Sequence, residues 1–129
     1  MKLHHIGIAV NSIDEKLKIW QQCLGIEFED IEEVPDQKVR VAVLPVGDVN
    51  IELLEPVGDD STIRKFINKR GEGLHHLCFE VEDIEKILSD MRSQGFTLID
   101  EKPRIGASGK KIAFIHPKSM GGVLIELTE

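Results

Sequence analysis

Cysteine is scarce in this chain. Its 129 residues hold two, Cys23 and Cys78, with no tight spacing between them. That excludes a disulfide scaffold and suits a reducing compartment. Long apolar runs are missing, so no segment is expected to span a bilayer. Met1 leads straight into an apolar strand without a secretory pattern, and a cytoplasmic location with no membrane partner is expected. Low-complexity tracts and long linkers are also missing, so the expectation is one domain over 1–129, long enough for a real core. Basic residues are outnumbered, 16 Lys plus Arg against 23 Asp plus Glu, for a net charge of −7. This balance argues against nucleic acid as a partner. It leaves room for an anionic small molecule held by a local basic patch.

What the chain does contain, it contains twice. "LHHIGIAV" begins at Leu3 and "LHHLCFEV" at Leu74. His5 and His76 correspond, and the match runs on through Val10 and Val81, Ile13 and Ile84, Leu17 and Leu88, and Trp20 and Met91. Each half then meets a glycine, Gly25 or Gly95, and ends near an Ile-Glu-Leu that carries Glu52 or Glu126. A repeat of this kind fixes the architecture.

Within each half the pattern is readable. "HHIGIAV" is β-branched and alternating, as a strand requires. "SIDEKLKIWQQCLG" predicts a helix. Ser12 and Glu15 form a capping box, Ile13, Leu17, Trp20 and Leu24 an apolar stripe, and Gly25 the stop. The second half repeats this from Asp83, with Ile84, Ile87, Leu88 and Met91 as the stripe. Further strands are expected at about 26–33, 38–46 and 49–55, and at about 97–101, 110–116 and 122–128. The turn at Gly47-Asp48 suits a hairpin. A helix near 60–69 joins the halves, with Ile63, Phe66 and Ile67 on one side. The result is an α+β fold of two βαβββ modules, 1–56 and 73–129, with a connecting segment at 57–72.

Side-chain parity then selects the residues of interest. Alternate strand residues face opposite ways. Ile6, Ile8 and Val10 should face the helix, which sends His5, Gly7 and Ala9 to the other side. Leu77, Phe79 and Val81 do the same in the second copy and send His76, Cys78 and Glu80 away. Glu52 and Glu126 follow the same count. Each module thus presents one His and one Glu on the face expected to carry no helix. If the sheets curl, the four converge in a cup. His4 and His75 belong to the core side or its rim.

Two neutral imidazoles and two carboxylates suit one borderline divalent ion, cobalt first, with nickel, zinc and manganese as alternatives. They would neutralise its charge and leave positions open for substrate. A single strand-start His is ordinarily a hydrogen-bonded rim residue, and a single strand Glu ordinarily faces solvent. Two of each at matching positions are not explained that way. Glu80 reads as a rim residue and Cys78 as a buried space-filling thiol.

These stretches resemble the vicinal oxygen chelate superfamily, which includes glyoxalase I and the extradiol dioxygenases. Within it, "VAVLPVGDVNIELLEP", "GEGLHHLCFEVEDI" and "KKIAFIHPKSMGGVLIEL" look most like the methylmalonyl-CoA epimerases. The resemblance implies paired βαβββ modules forming a curved mixed sheet around a metal cup. It implies His5, Glu52, His76 and Glu126 as ligands of one divalent metal, and inversion at C2 of a methylmalonyl thioester through an enolate. Glu126 is the first candidate for the catalytic base and Glu52 its opposite-face partner. Some epimerases carry a further glutamate on the strand before Glu52. Here that strand reads "KVRVAVLP" and holds no acid.

An acyl-CoA substrate calls for basic or amide-rich loops. "RIGASGKK" (Arg104 to Lys111) and "HPKSMGG" (His116 to Gly122) are the two candidates, with Lys118 and Ser119 for the carboxylate or acyl end. Any one of these lysines, Lys110 and Lys111 included, is also explained as a solvated turn residue. The superfamily implies a homodimer. The same quartet would serve lactoylglutathione lyase (glyoxalase I), the alternative reading. A metal-free sequestering protein need not keep the quartet. An extradiol dioxygenase uses two His and one carboxylate, usually in a longer chain.

Overall fold

The computed structural model describes residues 1–106 and 109–129, among which lie eight strands and three helices. They fall into two compact units, His5–His75 and Met1–His4 with His76–Glu129.

The first unit takes β1 (Lys2–Ala9) from His5 onward, which leads into α1 (Ile13–Leu24), followed by β2 (Asp30–Val34), β3 (Val39–Val46), β4 (Val49–Pro56) and α2 (Thr62–Arg70). The strand order is β2-β3-β4-β1, with β1 and β4 parallel and the other neighbours antiparallel. The Ser12 hydroxyl accepts the Glu15 N–H and starts α1, as the capping pattern predicts. Gly25, at φ 66°, ends it. The chain turns so sharply there that Ile26, rather than Leu24, packs against the core, and Leu24 is left exposed. Helix α1 buries Ile13 and Leu17 against Val10, Ala42, Leu44 and Leu53.

The other face of this unit differs from expectation. It is not free of helix: Ile63 and Ile67 of α2, with Phe66 beside them, pack on Ala9, Val39, Val41 and Leu54. The reason is apolar demand. Ala9, Val41 and Leu54 share parity with His5 and Glu52, so α2 covers the apolar end of that face. His75 stands edge-on to Phe66, with ring centroids 4.9 Å apart.

The second unit takes β5 (Gly73–Glu80) from His76 onward, which leads into α3 (Ile84–Ser93), then β6 (Arg104–Ile105), β7 (Lys111–Ile115) and β8 (Ile125–Thr128). The order is β5-β8-β7-β6, with β5 and β8 parallel. Asp83 caps α3 by accepting the Lys86 N–H. Ile84 and Leu88 pack on Val81, Ala113, Ile115, Ile125 and Leu127.

The strand expected at 97–101 is reduced to a single bridge, Leu98 to Ile115. The Asp100 carboxylate accepts the Phe114 N–H at 2.8 Å, so a side chain takes a place that a ladder bond would fill. Pairing resumes after Pro103, as the short β6. The last strand starts at Ile125 rather than near 122, because Gly121 and Gly122 hold a turn at φ 69° and 90°. Gly106 is needed for a different reason. A Cβ there would lie 2.9 Å from Cγ2 of Ile112.

Candidate metal and active site

Cross-strand register places the site residues. In the first unit Gly7 pairs with Glu52 and His5 with Asn50, so His5 and Glu52 stand one step apart on neighbouring parallel strands. His5 Nδ1 lies 2.9 Å from Glu52 Oε2, with 10% and 16% of the side chains exposed. In the second unit Cys78 pairs with Glu126, which again puts the histidine, His76, one step back from the glutamate. His76 Nε2 lies 3.0 Å from Glu126 Oε2, with 6% and 12% exposed. Each module builds a His–Glu pair at equivalent strand positions, through Nδ1 of His5 in one and Nε2 of His76 in the other. His4 and His75 are half-buried.

Each pair is a charge-assisted hydrogen bond as it stands. The same separations fit metal ligation. The donor set of imidazole and carboxylate fits a borderline divalent ion.

In the second unit α3 packs on the face opposite the one that carries His76 and Glu126. Register assigns to this face Phe114 beside Glu126, and Arg104, Ile112 and Thr128 in the next row, with Glu80 beside Thr128. Phe114 meets the His76 ring edge-on at 6.0 Å. Glu80 reaches Lys110 at 4.0 Å and is nearly half exposed, as a rim residue should be. Cys78 is fully buried.

The loop candidates separate. Lys118 is exposed and makes no ion pair among the described residues. Ser119 accepts the Thr97 N–H at 2.8 Å and donates its hydroxyl proton to the Thr97 carbonyl at 2.9 Å. Its one proton is therefore used in holding the loop. Of "RIGASGKK", Ala107 and Ser108 lie outside the described residues.

Two residues escaped sequence reasoning. Glu55 Oε1 accepts the N–H of Ile13, the first residue of α1, at 3.2 Å. Glu129 Oε2 accepts the N–H of Ile84, the first residue of α3, at 3.0 Å. Each satisfies a helix N-terminal donor, Glu55 from β4, which also carries Glu52, and Glu129 from just past the end of β8, which carries Glu126. The signal was present as a repeated Glu-x-x-Glu, Glu52 with Glu55 and Glu126 with Glu129. An odd spacing on a strand sends the two carboxylates to opposite faces.

Comparison with known proteins agrees with this architecture. The sequence pattern of the Glyoxalase/Bleomycin resistance protein/Dioxygenase superfamily matches residues 4–114. An uncharacterized protein of Bacillus subtilis, YqjC, is 45% identical over 99% of this chain and 91% of its own length. The ethylmalonyl-CoA/methylmalonyl-CoA epimerase of Cereibacter sphaeroides is 35% identical over 99% and 97%. A Streptomyces coelicolor methylmalonyl-CoA epimerase solved with 2-nitronate-propionyl-CoA superposes with a TM-score of 0.91 at 35% identity, covering 99% of this chain and 93% of that one. Lactoylglutathione lyases match at lower identity.

Proposed function

Because the chain belongs to the glyoxalase/bleomycin resistance/dioxygenase superfamily, and within it to the methylmalonyl-CoA epimerases, we propose that it inverts C2 of methylmalonyl-CoA with the help of one divalent ion held by His5, Glu52, His76 and Glu126. One observation carries the reading: both modules set a largely buried His–Glu pair at equivalent strand positions, through Nδ1 of His5 and Nε2 of His76. A divalent ion bound there would stabilise the negative charge that develops on the thioester oxygen as the α-proton leaves.

The chain's own residues do the rest. Glu126, buried and hydrogen-bonded to His76, takes the α-proton from one face. Glu52 returns a proton to the opposite face, and the reverse turnover exchanges their roles. His5 and His76 hold these carboxylates in place while keeping them desolvated. Lys118 meets the acyl-CoA from the turn that leads into β8, and Ser119 contributes by fixing that turn to Thr97. Cobalt is the preferred ion, and the working unit is a cytoplasmic homodimer built from one domain over 1–129. No helix among the described residues is long and apolar enough to cross a membrane.

The test is direct. Cobalt-loaded protein is given one C2 epimer of methylmalonyl-CoA in deuterated water, and the α-proton is followed by NMR. Loss of that signal with growth of the other epimer is expected, and Glu126→Ala should abolish both. No exchange by folded, metal-loaded protein, together with turnover of the methylglyoxal–glutathione hemithioacetal, would replace this reading with lactoylglutathione lyase.

A further inference from the structure

The turn at 116–122, which leads from β7 into β8, is closed mostly by groups that do not titrate. Met120 and Gly122 donate to the Pro117 carbonyl at 2.9 and 2.8 Å, and the Ser119 N–H donates to the His116 carbonyl at 3.0 Å. The Ser119 hydroxyl fixes the turn to Thr97. One tie is of another kind. The Lys118 N–H donates to Nδ1 of His116 at 3.0 Å. Pro117 has no N–H, so that of Lys118 is the first donor of the 3₁₀ turn Pro117–Ser119, and it has no backbone partner within the turn. A side chain supplies the acceptor, and here an imidazole stands where Ser, Asp or Asn is the usual choice.

An imidazole nitrogen accepts a hydrogen bond only while it carries no proton. Nδ1 is therefore bare, and the ring proton sits on Nε2. Protonating Nδ1 turns the acceptor into a donor. Two N–H groups then face each other and the tie is lost. An imidazole ordinarily changes charge between about pH 5 and 8.

The charged groups nearby are engaged elsewhere or lie on the turn itself. Lys118 shares the turn. The segment that meets it through Thr97 carries Asp100, Glu101 and Lys102. The Asp100 carboxylate accepts the Phe114 N–H and faces Arg104. On β8, Glu126 is paired with His76, and Glu129 beyond it accepts the Ile84 N–H. His116 is exposed and makes no ion pair among the described residues.

We propose that His116 is a positioning residue that closes this turn only while its imidazole is neutral, so that acidification opens the turn and weakens acyl-CoA binding. The binding half rests on the proposed function, in which Lys118 meets the acyl-CoA from this turn. Its sign is definite. A purely electrostatic role for His116 predicts the reverse, because an imidazolium attracts the CoA phosphates.

Two variants separate these roles. Asn places Oδ1 where His places Nδ1 and does not titrate, so His116→Asn should keep the turn closed at every pH. His116→Ala removes the acceptor and should leave it open at every pH. NMR on the folded, zinc-loaded protein without substrate reads the turn. The amides of Lys118 to Gly122 should shift with the same midpoint as the His116 ring. Their alkaline positions should match His116→Asn and their acidic ones His116→Ala. Turn amides that ignore the His116 titration, or a neutral ring with its proton on Nδ1, overturn the proposal whatever the substrate.

Calorimetric binding of methylmalonyl-CoA at about pH 8 and about pH 5.5 reads the consequence. The wild type should lose about 5-fold more affinity than His116→Asn, the weight of one cap. The site glutamates and the CoA phosphates are common to both proteins and cancel in the comparison. Equal losses, or a wild type that gains on His116→Asn, overturn the binding half. No binding by either protein at either pH removes the substrate reading and the binding half with it, while the NMR result still decides the turn.

Discussion

Replacing Glu55 tests how the strand that carries Glu52 is tied to its helix. The Glu55 carboxylate accepts the Ile13 N–H at 3.2 Å and Arg40 Nη1 at 2.7 Å, and its side chain is 17% exposed. Hydrogen bonds to charged groups contribute about 1.5–3 kcal/mol each. Arg40 is 31% exposed and has Glu33 in reserve at 4.0 Å, which lowers the cost of losing its partner. Glu55→Ala should therefore destabilise by about 2–3 kcal/mol. For a chain of this length, that corresponds to a fall of about 8–12 °C in Tm. Glu55→Gln keeps an acceptor for the amide and loses the charge, and should cost about 1 kcal/mol. Calorimetric melts of both variants, with Arg40→Ala and the double variant to isolate the coupling, measure this. A Glu55→Ala melt within 1 °C of the wild type, or a Gln variant as damaged as Ala, would refute the reasoning.

Two further outcomes are expected. Gly106→Ala forces a methyl to within 2.9 Å of the buried Ile112 and should lower stability by about 1–3 kcal/mol. A denaturant midpoint that shifts at constant m-value would show it, and an unmoved midpoint would deny the close approach. The Lys38 ammonium holds the fully exposed Asp60 carboxyl below its ordinary value of 3.8. Its folded pKa is depressed, so any stabilisation is present above the ordinary value and is lost as pH falls through the folded one. Parent and Asp60→Asn melts should differ slightly near neutrality and converge in acid; a constant gap would exclude the ion pair as its source.

Legibility in the sequence followed repetition and parity. The twin His and Glu were visible because a duplicated module repeats them at equal strand positions, and alternation fixed their common face without any coordinates. Helix α1 was legible from Ser12 to Gly25 because caps are local. The covering of Ala9 and Leu54 by α2 was not, since a helix's apolar stripe says that it packs but not on what. The strand expected at 97–101 failed because Asp100 substitutes a side-chain acceptor for part of the ladder. Arg104 was visible only as part of a basic loop. Its place beside Phe114 depends on β6 pairing with β7 across a turn, which composition does not specify.

The Glu-x-x-Glu of β4 also guards against misfolding. A one-residue slip of a strand sends every side chain to the wrong face. For β4, whose register sets Glu52 opposite Val43 and Glu55 opposite Arg40, such a slip would fail on both faces at once. An aliphatic side chain would stand where His5 expects a carboxylate. A leucine or proline would stand where the Ile13 amide and Arg40 expect one. Neither error can be compensated by apolar burial, because the groups left behind are polar and partly enclosed. Two acids of opposite parity thus act as a two-sided key, and the same pairing recurs with Glu126 in β8 and Glu129 just past its end.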